Sequence, residues 1–279
     1  MPLFIRLSLK GEGDTLMIKE TTVSIRNICF AYETKQILKH ISMEIQKGRI
    51  CFVMGNNGSG KTTLLKNITG FLSPQFGSVL INNIDVSKID KNTLSKKISY
   101  VPQAIHLNTD FSVIDYLSLG RTPYLGVLDK MSKEDYQIIE KYSTRLSIDD
   151  LYDVPFNKLS GGQKQLVAIA RSLIQETPII VLDEPMSALD IGKQAELLKY
   201  LNELAKNGKT IILTTHNPNH TFVVDSDACF VKEGEIVAFG NSKSIINEGL
   251  LKEIYGNGVE LDKNEKHTSI VFNKDNIIQ

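Results

Sequence analysis

Hydrophobic and polar positions follow different periods in different parts of this 279-residue chain. Residues 23–45 alternate irregularly between apolar and polar side chains, which predicts short antiparallel strands, two of them within residues 36–45. Residues 49–54 and 179–182 are almost continuously apolar, as is typical of strands buried on both faces of a sheet. Residues 166–174 carry apolar side chains at helical spacing. The pattern therefore predicts a sheet covered by helices, preceded by a β-rich region.

The order of these elements predicts an α/β fold. We expect a mostly parallel sheet, an antiparallel β subdomain near the N-terminus and an inserted helical subdomain at about residues 104–165. Within the insert, Ser112 and Ser132 each precede an aspartate by three residues, and this spacing predicts two capped helix starts. Further strands are predicted at 78–81, 98–101, 210–214, 228–231 and 235–239, and a further helix at 193–206.

The two ends of the chain look different from its middle. Residues 1–16 end in a connector rich in glycine and acidic residues, so we expect a flexible extension, with Met17 as the native start. Residues 17–255 are predicted to form the main domain. Residues 256–279 form a polar tail in which no element is predicted.

Charge and hydropathy narrow the possible partners. Lys plus Arg number 32 and Asp plus Glu number 32, so the formal net charge is zero. Affinity for a phosphate backbone comes from an excess of Lys and Arg, so we expect no nucleic-acid partner. The longest unbroken apolar run has five residues, as at 50–54, whereas a membrane-spanning helix needs about 20. The sequence therefore predicts no membrane span.

A phosphate-binding motif follows the first apolar run. Gly55–Thr62 matches G-x-x-x-x-G-K-[ST] in full, and it lies between a predicted strand and a predicted helix. Glycines allow backbone N–H groups to surround phosphate oxygens, Lys61 can reach the β- and γ-phosphates, and the Thr62 hydroxyl can bind Mg²⁺. The motif predicts a P-loop NTPase core that binds Mg²⁺ and the phosphates of a nucleotide. Its candidate nucleotide-binding residues are Gly55, Asn56, Asn57, Gly58, Ser59, Gly60, Lys61, Thr62 and Thr63.

Two carboxylates end the second apolar run. Asp183 is placed to bind Mg²⁺, and Glu184 is the candidate base that orients the attacking water. An Asp-Glu pair after a strand is otherwise equally typical of a solvated turn. The P-loop upstream favours the functional interpretation, because a P-loop needs a carboxylate for its metal.

A third motif, Leu159–Gln163, precedes the amphipathic helix. Its Ser160 and Gln163 also form an ordinary capping box, and a capped helix N-terminus with Gly161 and Gly162 is itself an anion site. With this motif the chain resembles the ATP-binding subunits of ABC transporters, over about residues 18–255. In that family the loop acts in trans on the nucleotide of a second subunit, so the resemblance implies a head-to-tail dimer of two copies.

Further residues match motifs of this family and follow one another along the chain in the same order as in the family. The resemblance implies that Tyr32 stacks on adenine and that Gln103 contacts Mg²⁺ and water. It also implies that Ser187–Asp190 contacts the other subunit and that His216 contacts the γ-phosphate. Met186 departs from the threonine that many members carry, but its neighbours are intact, and we expect ATPase activity to survive.

The segment Phe111–Tyr124 resembles importers of ferric siderophores, haem and cobalamin. This resemblance implies an ATPase that is peripheral on the cytoplasmic face of the membrane and works with a polytopic permease and, indirectly, a solute-binding protein. The sequence of residues 214–220 is also close to the one found in molybdate or tungstate transport systems, so import of these anions is an alternative function. A soluble ABC-type ATPase of Fe–S cluster assembly is a second alternative. A small-molecule kinase would not need Leu159–Gln163, and a non-catalytic scaffold would not keep every catalytic position.

Overall fold

A computed structural model describes residues 20–105, 110–126, 128–264 and 268–273. The predicted extension at 1–16 and the predicted start at Met17 lie outside these ranges. Within them the strands, in chain order, are β1 Thr21–Tyr32, β2 Lys35–Gln46, β3 Ile50–Met54, β4 Phe76–Ile81, β5 Ile84–Asp85, β6 Ile98–Val101, β7 Ile179–Leu182, β8 Thr210–Thr214, β9 Ser226–Lys232, β10 Glu235–Asn241, β11 Val259–Lys263 and β12 Thr268–Phe272. The helices are α1 Lys61–Ile68, α2 Lys91–Ser95, α3 Val113–Ser118, α4 Lys133–Arg145, α5 Gly161–Ile174, α6 Ile191–Lys206, α7 His220–Val223, α8 Ser242–Ile245 and α9 Glu248–Tyr255.

A six-stranded sheet forms the centre of the molecule, in the order β10-β9-β3-β8-β7-β6. All its strand pairs are parallel except the edge pair of β10 with β9. Every residue of β3, β7 and β8 is buried, as expected for strands covered on both faces. The predicted α/β class with a mostly parallel sheet is confirmed. No helix in the described ranges is long and apolar enough to cross a membrane.

A second, antiparallel sheet has the order β2-β1-β4-β5. The sequence predicted two short strands within residues 36–45, and this prediction was wrong, because β2 runs unbroken over twelve residues. The pairing of β1 with β2 shifts register several times, and Asn27 and His40 have positive φ. Such bulges displace the alternation of side chains without ending the strand. The irregular pattern therefore reflects bulges in one long hairpin.

The helical insert packs on α5 through α3 and α4. Ser112 and Ser132 form the predicted capping boxes with their aspartates. The Gly-Arg pair of the segment 111–124 faces this packing interface. A Cβ on Gly120 would lie 2.7 Å from the carbonyl of Arg171. Arg121 is 8% exposed.

Arg121 joins the insert to the helix behind it. Its Nε donates to Asp135 at 2.8 Å, and its Nη1 donates to the carbonyl of Ile174 at 3.1 Å. Asp135 also accepts from Ser132, and these contacts hold the pKa of its carboxyl below the usual value against the opposing effect of burial. The pair at 120–121 thus fixes the insert to α5 and presents little to a partner.

The C-terminal tail contains a hairpin, so the prediction of no element there was wrong. Strands β11 and β12 pair in antiparallel register, and Val259, Leu261 and Ile270 pack against the main core. Asn219, five residues after β8, donates to the carbonyl of Ile270 at 3.1 Å and accepts from its N–H at 2.7 Å. The sequence signal was weak because the strands are short and half-exposed.

Candidate active site

The loop between β3 and α1 turns sharply because three of its glycines have positive φ. A Cβ on Gly55 would lie 2.0 Å from the carbonyl oxygen of Val231, so no side chain fits there. Gly60 is the N-cap of α1 with φ 107°. Within the described residues no side chain caps α1. The first N–H groups of α1 are therefore left for a ligand, and the helix dipole favours an anion.

Lys61 begins α1 and lies at the base of this loop with only 6% of its surface exposed. Its Nζ donates to the carbonyls of Gly55 at 2.9 Å and of Asn56 at 3.0 Å. Burial lowers the pKa of Lys61, while the negative charges of Glu184 and Asp183 act in the opposite direction. The ammonium group is thus held between the loop and the two carboxylates at the end of β7.

A cavity of about 460 Å³ opens over this loop. Nine of the predicted site residues line it: Asn57, Gly58, Gly60, Lys61, Thr62, Thr63, Gln103, Glu184 and His216. Lys35 and Ile37 of β2 line it as well, and sequence reasoning missed both. Tyr32 is 45% exposed and pairs with Lys35 across the hairpin, so it lies beside the rim of the cavity.

Three predicted loop residues and Asp183 lie behind the surface of the cavity. The side chain of Asn56 donates to the carbonyl of Ile254 at 2.8 Å, which ties the loop to α9. Ser59 is buried, and its hydroxyl has no hydrogen-bond partner among the described residues. Gly55 is fixed by its approach to Val231.

Thr214, the last residue of β8, organises both carboxylate residues. Its hydroxyl donates to Oδ1 of Asp183 at 2.7 Å and accepts from the backbone N–H of Glu184 at 2.6 Å. Glu184 has φ 51°, an uncommon backbone conformation for a residue other than glycine. Sequence reasoning missed Thr214, although its position two residues before His216 could have indicated it.

Glu184 meets side chains from two other elements. Nε2 of Gln103 donates to Oε2 of Glu184 at 2.9 Å, and Nε2 of His216 lies 2.5 Å from Oε1. A carboxylate can only accept, so His216 carries its proton on Nε2. The structure thus brings Gln103, Glu184 and His216 together from positions up to 113 residues apart.

The oxygen donors near the loop suit Mg²⁺. Thr62 offers a hydroxyl, Asp183 a carboxylate, and Gln103 an amide oxygen, since its bond to Glu184 uses the nitrogen. In the described part of the chain no three His, Cys, Asp or Glu side chains cluster as metal ligands. Mg²⁺ needs only one or two carboxylates, because phosphates and waters complete its shell, so the residues fit the ion.

The loop that precedes α5 stands apart from this cavity. Ser160 and Gln163 form the predicted capping box, in which each side chain satisfies a backbone N–H of the other. A Cβ on Gly162 would lie 3.0 Å from the carbonyl of Ala188, so the loop packs against residues 187–190. Among the described residues that line the cavity, none comes from Ser160–Gln163.

Comparison with known proteins agrees with this arrangement. The pattern of the ABC transporter family matches residues 38–187. The petrobactin import ATP-binding protein of Bacillus subtilis is 34% identical over 234 residues, which are 84% of this chain and 92% of that protein. Among solved structures, an inward-facing metal-chelate type ABC transporter is 27% identical with a TM-score of 0.79, covering 93% of this chain and 100% of the other.

A dimeric ATP-binding cassette with ADP and Pi is also similar. It is 29% identical with a TM-score of 0.72, and the match covers 79% of this chain and 98% of that one. The sheet order, the P-loop cavity and these similarities agree on one type of nucleotide-binding ATPase. The chain belongs to the ATP-binding proteins of the ABC transporter family.

Proposed function

We propose that this chain hydrolyses ATP to drive import of a metal complex, such as an iron siderophore, haem or a cobalamin-like compound, through a membrane permease. The observation that carries the hydrolytic part is the meeting of Gln103, Glu184 and His216 above the P-loop. A water held there would face the terminal phosphate of a nucleotide whose phosphates occupy the loop.

Glu184 is the proposed base. The residue is only 8% exposed, and hydrogen bonds at both carboxylate oxygens orient its side chain. To accept a proton from water, one of those oxygens has to exchange its present partner for the water. Gln103 and His216 are the two partners, so both take part in positioning the attack.

Positive charge around the loop supports the transfer of the phosphoryl group. Lys61 and the N-terminus of α1 would bind the phosphate oxygens, and His216 would donate from Nε2 to the γ-phosphate. Thr62, Asp183 and Gln103 would hold Mg²⁺, which when bound neutralises charge on the phosphate oxygens. The exposed ring of Tyr32 at the rim is the proposed adenine contact.

Two copies would form the working unit. ABC cassettes dimerise, as in the dimeric relative with ADP and Pi. In this chain Ser160, Gly161, Gly162 and Gln163 are remote from the cavity lining of their own P-loop. Their exposed helix N-terminus would bind the γ-phosphate held by the partner copy, which requires a head-to-tail arrangement.

A groove beside α1 is the proposed docking site for a helix of the permease. It has a volume of about 350 Å³ and is lined by residues of α2, β6 and α5. Phe71 stands at its edge with 70% of its surface exposed. The Phe71 ring lies 5.4 Å from the ring of Tyr100, and the hydroxyl of Tyr100 contacts Asp183 at 3.5 Å. Tyr100 therefore touches both the groove and Asp183, the proposed Mg²⁺ ligand.

The names of similar proteins support the proposal that the cargo is a metal complex. Proteins 31–36% identical to this chain are named for petrobactin import, achromobactin transport and iron chelatin transport. Such a role would keep the chain peripheral, on the cytoplasmic face of a membrane, with a solute-binding protein as an indirect partner. Molybdate or tungstate import and Fe–S cluster assembly are the alternatives.

Uptake measurements test the proposal. Cells whose only copy of the gene encodes either the wild-type chain or the Glu184→Gln variant would be supplied with ferric siderophore, haem, cobalamin or molybdate. We expect wild type alone to accumulate one of the metal complexes, and we expect polytopic membrane proteins to purify with the chain. Uptake of molybdate alone would favour the first alternative, and exclusively soluble partners would contradict transport.

A further inference from the structure

A buried histidine that the proposed mechanism does not use lies next to the loop that carries His216. His220 is the first residue of α7 and is 7% exposed. Burial lowers its pKa, so the ring is neutral at physiological pH. A neutral imidazole has one donor nitrogen and one acceptor nitrogen, and its partners decide which is which.

The contacts of His220 favour one tautomer. Nε2 lies 3.3 Å from Oε1 of Gln194 and 3.4 Å from the amide nitrogen of Asn217, and Nδ1 lies 2.9 Å from the hydroxyl of Thr215. We assign the Nε2 proton to the shorter contact, with the Gln194 oxygen, so that Nδ1 accepts from Thr215. Thr215 is the neighbour of His216, and its hydroxyl also accepts from the N–H of Asn217 at 3.1 Å. Hydrogen bonds therefore link His220 to both chain neighbours of His216, Thr215 directly and Asn217 through the Thr215 hydroxyl.

Gln194 connects this histidine to the loop that follows Glu184. The Gln194 amide nitrogen donates to the carbonyls of Met186 at 3.1 Å and Leu189 at 3.0 Å. Two carbonyl acceptors fix the orientation of the amide, so its oxygen must face His220. In the same loop, Ser187 donates from its N–H and its hydroxyl to the carbonyl of Glu184, at 3.2 Å and 3.0 Å.

The two loops are separated by a cavity where the bridge runs. The cavity has a volume of about 260 Å³, and Glu184, Met186, His216, Gln194 and His220 are among the residues that line it. Close packing therefore does not fix the spacing of the loops at this point. The polar bridge crosses the gap instead, and its hydrogen bonds persist only while the loops keep their present separation.

We propose that Gln194 and His220 are positioning residues that hold the loop of His216 at a fixed separation from the loop of Glu184. Neither residue lines the cavity over the P-loop. They act through Thr215 on one side and through Met186 and Leu189 on the other. The inference rests on the roles proposed for Glu184 and His216 in hydrolysis, and it is independent of the cargo.

The purified full-length chain with Mg-ATP provides the test. We expect Gln194→Ala and His220→Ala each to lower kcat about 10- to 100-fold, because small misplacements of catalytic groups cost that much. The KM for ATP should stay within about twofold, since the P-loop cavity is formed by other elements. His220→Gln should restore most of kcat, because a glutamine can donate to Gln194 and accept from Thr215. The double variant should be no slower than the slower single variant.

Ser172→Ala is the matched control. Ser172 is fully buried in α5, its hydroxyl bonds Ser99 at 2.7 Å, and neither serine lines the cavity between the two loops. This variant should lose stability in urea while keeping kcat. Should an alanine variant fail to fold, Gln194→Glu keeps the shape and the acceptor for His220 but removes the two donations, and it should show the same loss of kcat.

Three results would overturn the inference: an unchanged kcat in Gln194→Glu, a rise in KM in place of a fall in kcat, or additive losses in the double variant. Glu184→Gln separates this failure from failure of the proposed mechanism. If Glu184→Gln keeps wild-type turnover, the assignment of the base is wrong. If Glu184→Gln is inactive while the bridge variants behave as wild type, only the bridge is rejected.

Discussion

Two glycine-rich helix N-termini in this chain look alike in sequence but differ in structure. Helix α1 begins after Gly60 without a side-chain cap among the described residues, and its first residue, Lys61, is buried at the base of a cavity. Helix α5 begins after Ser160, which caps it together with Gln163. The N–H groups at α5 are partly satisfied within the chain, whereas those at α1 await a ligand.

We interpret this difference as two different tasks. The N-terminus of α1 brings together, within one chain, the buried ammonium group of Lys61, the oxygen donors proposed for Mg²⁺ and the proposed catalytic carboxylate. The N-terminus of α5 is exposed, and the cavity lining described for its own chain does not include it. A single copy therefore builds the binding half of the proposed ATP site, and in the proposed head-to-tail dimer the α5 end would complete the site of the other copy.

Replacing the lysine in the first turn of each helix should give the largest difference in ATP turnover between the two helix N-termini. We expect Lys61→Ala to lower ATP turnover about 100-fold or more, because it removes a charge that would act on the transferred phosphate. Lys164→Ala, in the first turn of α5, should change turnover by no more than about twofold. Phosphate release by the purified chain measures both, and equal losses would break the comparison.

Mixing two inactive variants should restore activity if the ends act in different copies. Gly161→Asp places a negative charge where a phosphate would bind, and a Cβ there meets nothing closer than 3.8 Å, so the fold should tolerate it. An equal mixture of Lys61→Ala and Gly161→Asp chains should recover roughly a quarter of wild-type turnover, since about half of the dimers are mixed and each holds one intact site. Full activity of Gly161→Asp alone would argue against action in trans.

Alanine at the glycine of each end should affect stability unequally. Gly60 has φ 107°, and a Cβ there would lie 3.0 Å from Cδ2 of Leu38. We expect Gly60→Ala to lower the free energy of unfolding by about 2 kcal/mol. Gly161→Ala should change it by less than about 0.5 kcal/mol, because the site is roomy and helical. Urea titrations of the two variants give the comparison, which a similar cost at both sites would contradict.

The serine of each end should give the smallest effects. Ser160 caps α5, so Ser160→Ala should cost about 1 kcal/mol of unfolding free energy. The buried hydroxyl of Ser59 has no hydrogen-bond partner in the described residues, so Ser59→Ala should be neutral within about 0.5 kcal/mol. The same titrations measure both variants. A larger cost for Ser59→Ala would mean that its hydroxyl is satisfied in solution.

Features that depend on a few neighbouring residues could be predicted from the sequence. The capping boxes at Ser112, Ser132 and Ser160 were predicted correctly, because a cap joins residues three apart. The strands predicted at 49–54 and 179–182 agree with β3 and β7 for a similar reason, since burial on both faces leaves a continuous apolar run. The predicted strand at 210–214 also agrees with β8.

Features that depend on distant residues were missed or misjudged. The long hairpin of β1 and β2 was broken into pieces because bulges disturb its alternation. The hairpin at 259–272 was missed because its strands gain their apolar contacts from the main core. The contacts of Arg121 with Asp135 and with the carbonyl of Ile174 were missed, because they join residues that no local pattern relates.

The sequence by itself determined the chemistry that is available: a phosphate-binding loop, a strand ending in two carboxylates and a second glycine-rich helix start. These are local motifs, in which backbone conformation and side-chain type act within a few residues. Tertiary structure alone decided which of them meet. The packing of β3, β7 and β8 brings Lys61, Glu184 and His216 to one cavity, and it keeps the α5 end outside the lining of that cavity. The reason is that strand order in a sheet sets distances between residues far apart in sequence.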